Sequence, residues 1–350
     1  SMRILQGNLH RSRLADSLLD QLVAENEADI LLLCEQYRVR DTGLWYNDLS
    51  GTAAIWIPNQ GSFPIESVGR DNGYVWARSR NITFISCYFT PNESVHEFRR
   101  KLNSLEDDIR EMTGQIIVVG DFNARAVDWG MPETDMRGRN ILEMIARTRL
   151  VVLNKGNVST FRRPGYLETI PDISLASENL ASSVENWRVI EEITGSDHQY
   201  ITFRITQSVD RIWKPKDSVG WNLDKIHEEV FWKAIEDGMT ESNPVSEEGR
   251  VGAEAVVTLG MNIISEACNQ SMPRRVCWRG RRPAYWWNSR IADLRRDCIK
   301  KRRRVQRARR RPTAACRAAE YREAKHELRK AIYLSKKRCW DSLVAEVDRD

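Results

Sequence analysis

The sequence holds no run of eighteen or more apolar residues, so no membrane-spanning helix is indicated. Its seven cysteines, Cys34, Cys87, Cys268, Cys277, Cys298, Cys316 and Cys339, include no C-x-x-C pair. An odd count without paired spacing excludes a disulfide framework and a cysteine zinc site, and fits a reducing compartment. The opening residues Ser1-Met2-Arg3-Ile4-Leu5 enter a strand-like segment at once, without a signal-peptide pattern. No internal repeat stands out.

What is present is an uneven charge. Residues 1–205 carry 22 Lys and Arg against 28 Asp and Glu, a net of −6, and residues 206–350 carry 32 against 21, a net of +11. With 350 residues in all, this predicts an acidic unit over 1–205, a linker over 206–222 and a helical, basic segment over 223–350.

The front half alternates strands and helices. Arg3 to Leu9 reads as a strand ending in Asn8. Arg11 to Glu27 has helical spacing at Leu14, Leu18, Leu22 and Val23, and Ile30 to Cys34 is a buried strand with Glu35 at its end. This is a βαβ-like opening. Strands follow over Thr52–Ile57, Tyr74–Arg78 and Ile82–Phe89, with Tyr88 near the end of the third and turns at Asn59-Gln60-Gly61 and Asp71-Asn72-Gly73. A long helix runs to about Met112, then come a helix over Asn140–Arg149 and strands over Val151–Asn154, Pro171–Ala176, Trp187–Glu191 and Tyr200–Ile205. The pattern is that of one α/β domain.

The key stretch is Ile116-Ile-Val-Val-Gly-Asp-Phe-Asn-Ala-Arg125. Four apolar residues make a strand covered on both faces, and Gly120 ends it. Asp121 and Asn123 follow, two apart, and point to the same side if strand geometry persists. Gly-Asp-x-Asn is also good turn chemistry. Polar residues recur at strand ends, however: Asn8, Glu35, Tyr88, Asp121, Asn123, Asp172, Asp197 and His198. Each alone has an ordinary explanation as a cap, a turn or a packed histidine. Together, carboxylates with amide oxygens suit a hard divalent cation such as Mg²⁺, with Mn²⁺ as an alternative, and a single histidine does not make a zinc site. Phosphodiester hydrolysis needs a cation, a base for water and phosphate donors. Glu35 can bind the metal, Asp121 can activate water, and His198 can donate to a phosphate oxygen if a nearby Asp172 keeps it protonated.

The segments Gln6-Gly7-Asn8-Leu9, Leu33-Cys34-Glu35-Gln36, Gly120-Asp121-Phe122-Asn123, Pro171-Asp172-Ile173 and Ser196-Asp197-His198 resemble, in that order, the endonuclease/exonuclease/phosphatase family of DNase-like and apurinic-site endonucleases. Asn8-Leu9-His10-Arg11-Ser12, Glu35-Gln36-Tyr37-Arg38 and Thr160-Phe161 are similar to the endonucleases of insect non-LTR retrotransposons. The resemblance covers about residues 2–205, and residues 206–350 resemble more loosely the helical segment before a reverse transcriptase. It implies an α/β fold, a four-layer DNase-like sandwich of two packed sheets flanked by helices, followed by a mainly helical basic segment. It implies metal at Glu35, Asn8 and Asp197. The catalytic set is Asp121, Asn123, Tyr88 and His198 paired with Asp172. The implied reaction is Mg²⁺-dependent nicking of double-stranded target DNA in the nucleus, after synthesis in the cytoplasm, leaving a 3′-hydroxyl for primed reverse transcription. The chain shows no reverse transcriptase aspartate pair and no Cys/His zinc knuckle, as expected of a fragment of a longer polyprotein.

Lys300 to Arg311 carries nine Lys or Arg in twelve residues with no acid. Contact with target DNA or the element's RNA is expected there, through Arg302, Arg303 and Arg304, or an import signal. Trp286 and Trp287 offer stacking surfaces, although at least one is expected in a helical core. In the loop 156–170, Thr160, Arg162 and Arg163 are candidates to reach a groove. The competing readings are a decayed or domesticated nucleic-acid-binding fragment, and an abasic-site nuclease or phosphatase of the same fold.

Overall fold

The computed structural model describes residues 1–41, 43–59, 64–206, 221, 225–241, 250–273 and 282–347. The turn expected at 59–61 and the linker expected over 206–222 lie almost wholly outside these residues. No described helix is long and apolar enough to cross a membrane.

Two six-stranded sheets form the centre. The first runs β11(Val184–Val189)-β12(Ile201–Ile205)-β1(Met2–Asn8)-β2(Ile30–Cys34)-β4(Ala53–Ile57)-β3(Leu44–Asn47). The second runs β5(Ser67–Asp71)-β6(Tyr74–Ser79)-β7(Ile82–Tyr88)-β8(Gln115–Asp121)-β10(Asp172–Ser177)-β9(Leu150–Val152). Each has one parallel pair at its middle, β1 with β2 and β7 with β8, and antiparallel neighbours elsewhere. The apolar runs alternate between two cores, as the period of two demands. Ile30 and Leu32 of β2 face the core between the sheets together with Ile117 and Val119 of β8. Leu31 and Leu33 face one outer layer, and Ile116 and Val118 the other.

Helices cover both outer faces. Helix α1(Arg13–Asn26), capped by Ser12 on the Ala15 amide, lays Leu14, Leu18, Leu19 and Leu22 on the first sheet. Helices α2(Val95–Glu111) and α3(Met136–Thr148) lie on the second. Ser94 and Glu97 form a reciprocal capping box for α2, and Asp135 caps α3. A short helix α4(Glu178–Ala181) follows β10. The arrangement is the expected four-layer sandwich. The strands β3 and β5 are absent from the sequence reading. Both lie at sheet edges, and Leu44–Asn47 and Ser67–Asp71 show neither alternation nor a buried run.

The helical segment expected over 223–350 is divided in space. Residues 208–279, with helices α5(Glu228–Glu241) and α6(Arg250–Ser271), form a separate compact unit. Helices α7(Ser289–Arg307) and α8(Ala314–Val347) belong instead to the unit of residues 1–207 and 280–350. They pair around the turn at Pro312 and bury Trp286, Ile291, Cys298, Tyr321, Leu328 and Ile332 in the same core as Leu14, Leu18 and Leu22 of α1. Trp286 is enclosed and offers no face for a base, while Trp287 is partly buried against this core. Docking is fixed by polar contacts as well. The Ala284 amide donates to Gln21, and Arg295 donates to both carboxylate oxygens of Glu25 at 2.6 and 2.8 Å.

Because Leu328 is fully buried under α1, Leu328→Ala is expected to destabilise the α/β unit itself by about 2–5 kcal/mol. Denaturant unfolding followed by the near-UV signal of the whole chain checks this. A change confined to loss of helix signal, with the α/β transition unmoved, would contradict the shared core.

Candidate active site

The two parallel pairs place four carboxyl-terminal strand ends together, the position where sheets of this kind hold ligands. Asn8 ends β1, Glu35 follows β2, Tyr88 ends β7 and Asp121 ends β8. Antiparallel β10 adds Asp172 from its first residue, in register with Asp121, which is itself in register with Tyr88. His198 stands three residues before β12. Gly120 allows the close approach of β7 and β8, since a side chain there would collide with the Cys87 carbonyl oxygen.

The geometry centres on Asn8. Its amide nitrogen donates to Asp121 Oδ2 at 2.8 Å and to Glu35 Oε2 at 3.1 Å, while its oxygen accepts the His10 N–H. On the far side of Asp121, His198 Nδ1 pairs with Asp172 Oδ2 at 2.8 Å and His198 Nε2 lies 3.9 Å from Asp121 Oδ2. Asp121, Asp172 and His198 are all buried. Burial alone would lower the His198 pKa. The charge and hydrogen bond of Asp172, then the charges of Asp121 and Glu35, outweigh it and push it up to about 9. The imidazole is therefore protonated at neutral pH. Burial, then the Asp172 charge, raise Asp121 above the usual carboxylate range. Glu35 goes the other way. Its partial burial pulls upward, but hydrogen bonds from His10, Asn8 and Tyr88 hold the carboxyl below its ordinary value. Burial followed by the charges of Glu35 and Asp121 keeps Tyr88 a phenol.

The remaining expected site residues fall elsewhere. Asn123 does not continue the strand: its φ of 46° is left-handed, its N–H donates to Asp121 Oδ1, and its amide group donates to the Phe89 carbonyl. It closes an Asx-type turn that steadies Asp121 instead of pointing beside it. Asp197 meets Arg163 at 3.8 Å and Lys325 at 3.7 Å. Thr160 is enclosed, its backbone bonded to Thr169 and Gln199. Arg162 is spent on Glu191, and Arg302 is buried against Glu191 and Gln199, so neither offers a free face to nucleic acid. Arg303 and Arg304 are exposed, and Arg163 is half-exposed over the ring of Tyr166.

Two neighbours escaped the sequence reading. His10 lies 3.6 Å from Glu35 Oε2 and its ring 6.0 Å from that of His198. Phe161 packs its edge against His198 at 5.1 Å. His10 sits two residues past Asn8, and that spacing is the signal the sequence offered for it. Nothing local signals Phe161 as a wall of the site.

The cluster fits a divalent cation on its charge. Glu35, Asp121 and Asp172 are three carboxylates against one imidazolium in a largely buried place, and the ligand atoms of Asp121, Asp172 and His198 lie within 4.8 Å of one another. Because Asp172 and the protonated His198 occupy each other, the oxygens left for a cation are those of Glu35 and Asp121, with Asn8 between them. All are hard donors.

Residues 82–202 match the family described as endonuclease-reverse transcriptase. Among solved structures, the chain is similar to the endonuclease domain of TRAS1, a telomere-specific non-LTR retrotransposon, at 28% identity and a TM-score of 0.52, over 59% of this chain and 100% of that one. Weaker likenesses, with the same coverage, are to an AP endonuclease from Archaeoglobus fulgidus (16% identity, TM-score 0.49) and a Neisseria 3′ phosphatase (17%, 0.47). No curated protein sequence matches. The α/β part of this chain has a DNase-like fold and is similar to an endonuclease domain of the non-LTR retrotransposon kind.

Asp172→Asn removes the largest influence raising the His198 pKa while keeping the shape of the site. The pKa is expected to fall well below 9, as read by NMR titration of the ring protons. An unchanged value would mean that Asp121 and Glu35 set the charge.

Proposed function

We propose that this domain is a Mg²⁺-dependent endonuclease that nicks DNA in the nucleus and leaves a 3′-hydroxyl for primed reverse transcription. The observation that carries the reading is the line Asp172–His198–Asp121–Asn8–Glu35, in which a protonated donor and a basic carboxylate stand side by side.

In this reading Asp121, whose raised pKa makes it a better base, takes a proton from the attacking water as oxygen adds to phosphorus. The P–O3′ bond breaks and the leaving O3′ takes a proton from solvent water, giving a 5′-phosphate and a 3′-hydroxyl. His198 donates from Nε2 to a non-bridging phosphate oxygen as charge builds there, and Asp172 keeps it protonated and oriented. Asn8 fixes Asp121 relative to Glu35, and the Tyr88 phenol, now held by Glu35, is a second donor at the rim. A cation held by Glu35 and Asp121 would add charge neutralisation at the phosphate.

The whole chain is the right reagent, because cutting at 206 would strip α7 and α8 from the core they share with α1. Incubated with supercoiled plasmid and Mg²⁺, it is expected to give open circles, and EDTA to prevent this. Asp121→Ala and His198→Ala should each slow nicking by about 10²–10⁴-fold. The wild-type rate should fall as pH rises through about 9, where His198 loses its proton. Cutting of neither plasmid nor genomic DNA, or cutting only at abasic sites, would overturn this reading.

A further inference from the structure

Beside the site lies a second feature that the reaction does not use. The loop from Arg162 to Glu168 and the turn between α7 and α8 enclose a pocket of about 440 Å³. Arg162, Arg163, Arg302, Arg309, Arg310 and Arg322 line it, against one acid, Glu168. Their states differ. Arg162 and Arg302 are tied to Glu191 and form the floor. Arg163 and Arg309 meet Asp197 and Glu168 only at 3.8 and 3.7 Å, loose pairs that a phosphate can replace. Arg310 and Arg322 are exposed and have no ion pair among the described residues. Arg310 holds a left-handed φ of 64°, an unfavourable state for a side-chain-bearing residue, in the turn that Arg311 N–H closes onto the Ala308 carbonyl. The first turn of α8 contributes Ala314 and Ala315, small residues at the positive end of a helix dipole.

The two walls are joined, and they are joined to the site. Arg309 Nη2 donates to the Tyr166 carbonyl at 2.7 Å, so the helical turn holds the loop. The loop begins at Phe161, which packs on His198, and Arg162 N–H donates to the Asp197 carbonyl. Lys325 of α8 reaches Asp197 from the other side. The pocket is thus linked to His198 through Phe161 and Asp197.

We propose that the pocket binds the phosphodiester backbone of duplex DNA next to the cleaved bond, so that the α7–α8 hairpin is part of the nuclease's DNA-binding surface. The choice of DNA as the polymer rests on the nuclease reading above; the anionic ligand itself follows from the arginines. The loop supplies Arg163, the hairpin supplies Arg309, Arg310 and Arg322, and neither wall forms the pocket alone.

The test is fluorescence anisotropy of the 350-residue chain with a labelled DNA duplex, in EDTA so that nothing is cut, across a range of salt. Arg310→Ala with Arg322→Ala should weaken binding about tenfold near physiological salt and reduce the slope of log K against log salt by about two. Arg310→Lys with Arg322→Lys should restore most of both. Lys330→Ala with Lys337→Ala, which removes two exposed charges of α8 outside the pocket, should leave both nearly unchanged. Equal losses in the pocket and control variants would show diffuse attraction and overturn the site, as would no loss in the pocket variant. An RNA duplex bound more tightly, with the same loss, would overturn the choice of DNA. Nicking by the same preparations separates the two ideas. A chain that nicks but binds without regard to Arg310 and Arg322 loses the pocket and keeps the nuclease. A chain that binds as expected but cuts nothing keeps the phosphate pocket and loses the nuclease.

Discussion

The arrangement depends on one buried ion pair, His198 with Asp172 at 2.8 Å. A charged pair taken out of water stabilises a fold poorly, and apolar replacements of equal volume often do as well. Here the pair is flanked by a second buried carboxylate, Asp121, which adds like-charge repulsion. The fold tolerates this because two sheets converge on the cluster. The β8–β10 register puts Asp121 level with Asp172, and β1 brings in Asn8 from the opposite sheet to satisfy Asp121 and Glu35 together. Such a concentration of charge is not what packing alone would select. It is what proton transfer at a phosphate requires: a base and an acid adjacent, with pKa values moved toward the working pH.

The strand-end residues were legible because the strands before them are unmistakable. Ile116–Val119 and Ile30–Cys34 are continuous apolar runs, and the first polar residue after each is Asp121 or Glu35, set apart by no more than Gly120. Legibility ended where the backbone turned. Asn123 was read by strand periodicity, but a left-handed residue resets the direction of every side chain after it. Asp197 was read as a helper of the metal or of His198 on the family resemblance; it lies in a bend, and its carboxylate meets Arg163 and Lys325.

The docking of α7 was hidden for a different reason. Its buried positions are Ile291, Arg295, Cys298 and Arg302, spaced by four, three and four, a regular helical stripe in which every second member is arginine. A reading by hydrophobicity sees half a stripe and assigns the helix to solvent. In α8 the buried set Tyr321, Ala324, Leu328, Ile332 and Ser335 keeps the same spacing, diluted by small and polar members. The arginines belong in the interface because the partners are acids of the α/β layers: Glu25 receives Arg295, and Glu191 receives Arg302. Charge-assisted, partly enclosed hydrogen bonds of this kind are stronger than surface pairs.

That pairing changes the meaning of the charge imbalance. An acidic first half and a basic second half suggest two units with separate partners, yet part of each charge meets the other inside one unit, at Glu25–Arg295, Glu191–Arg302, Asp197–Lys325 and Glu168–Arg309. The run from Lys300 to Arg311 is thus not uniform. A helix turns each successive residue by about 100°, so Arg302 faces the acids while Arg303 and Arg304 face water. Past the end of α7, Arg309 and Arg310 face the loop beside the active site. The helical period therefore sorts one basic run into a docking stripe and a cationic surface, and the docking stripe is what sets the second against the catalytic cluster.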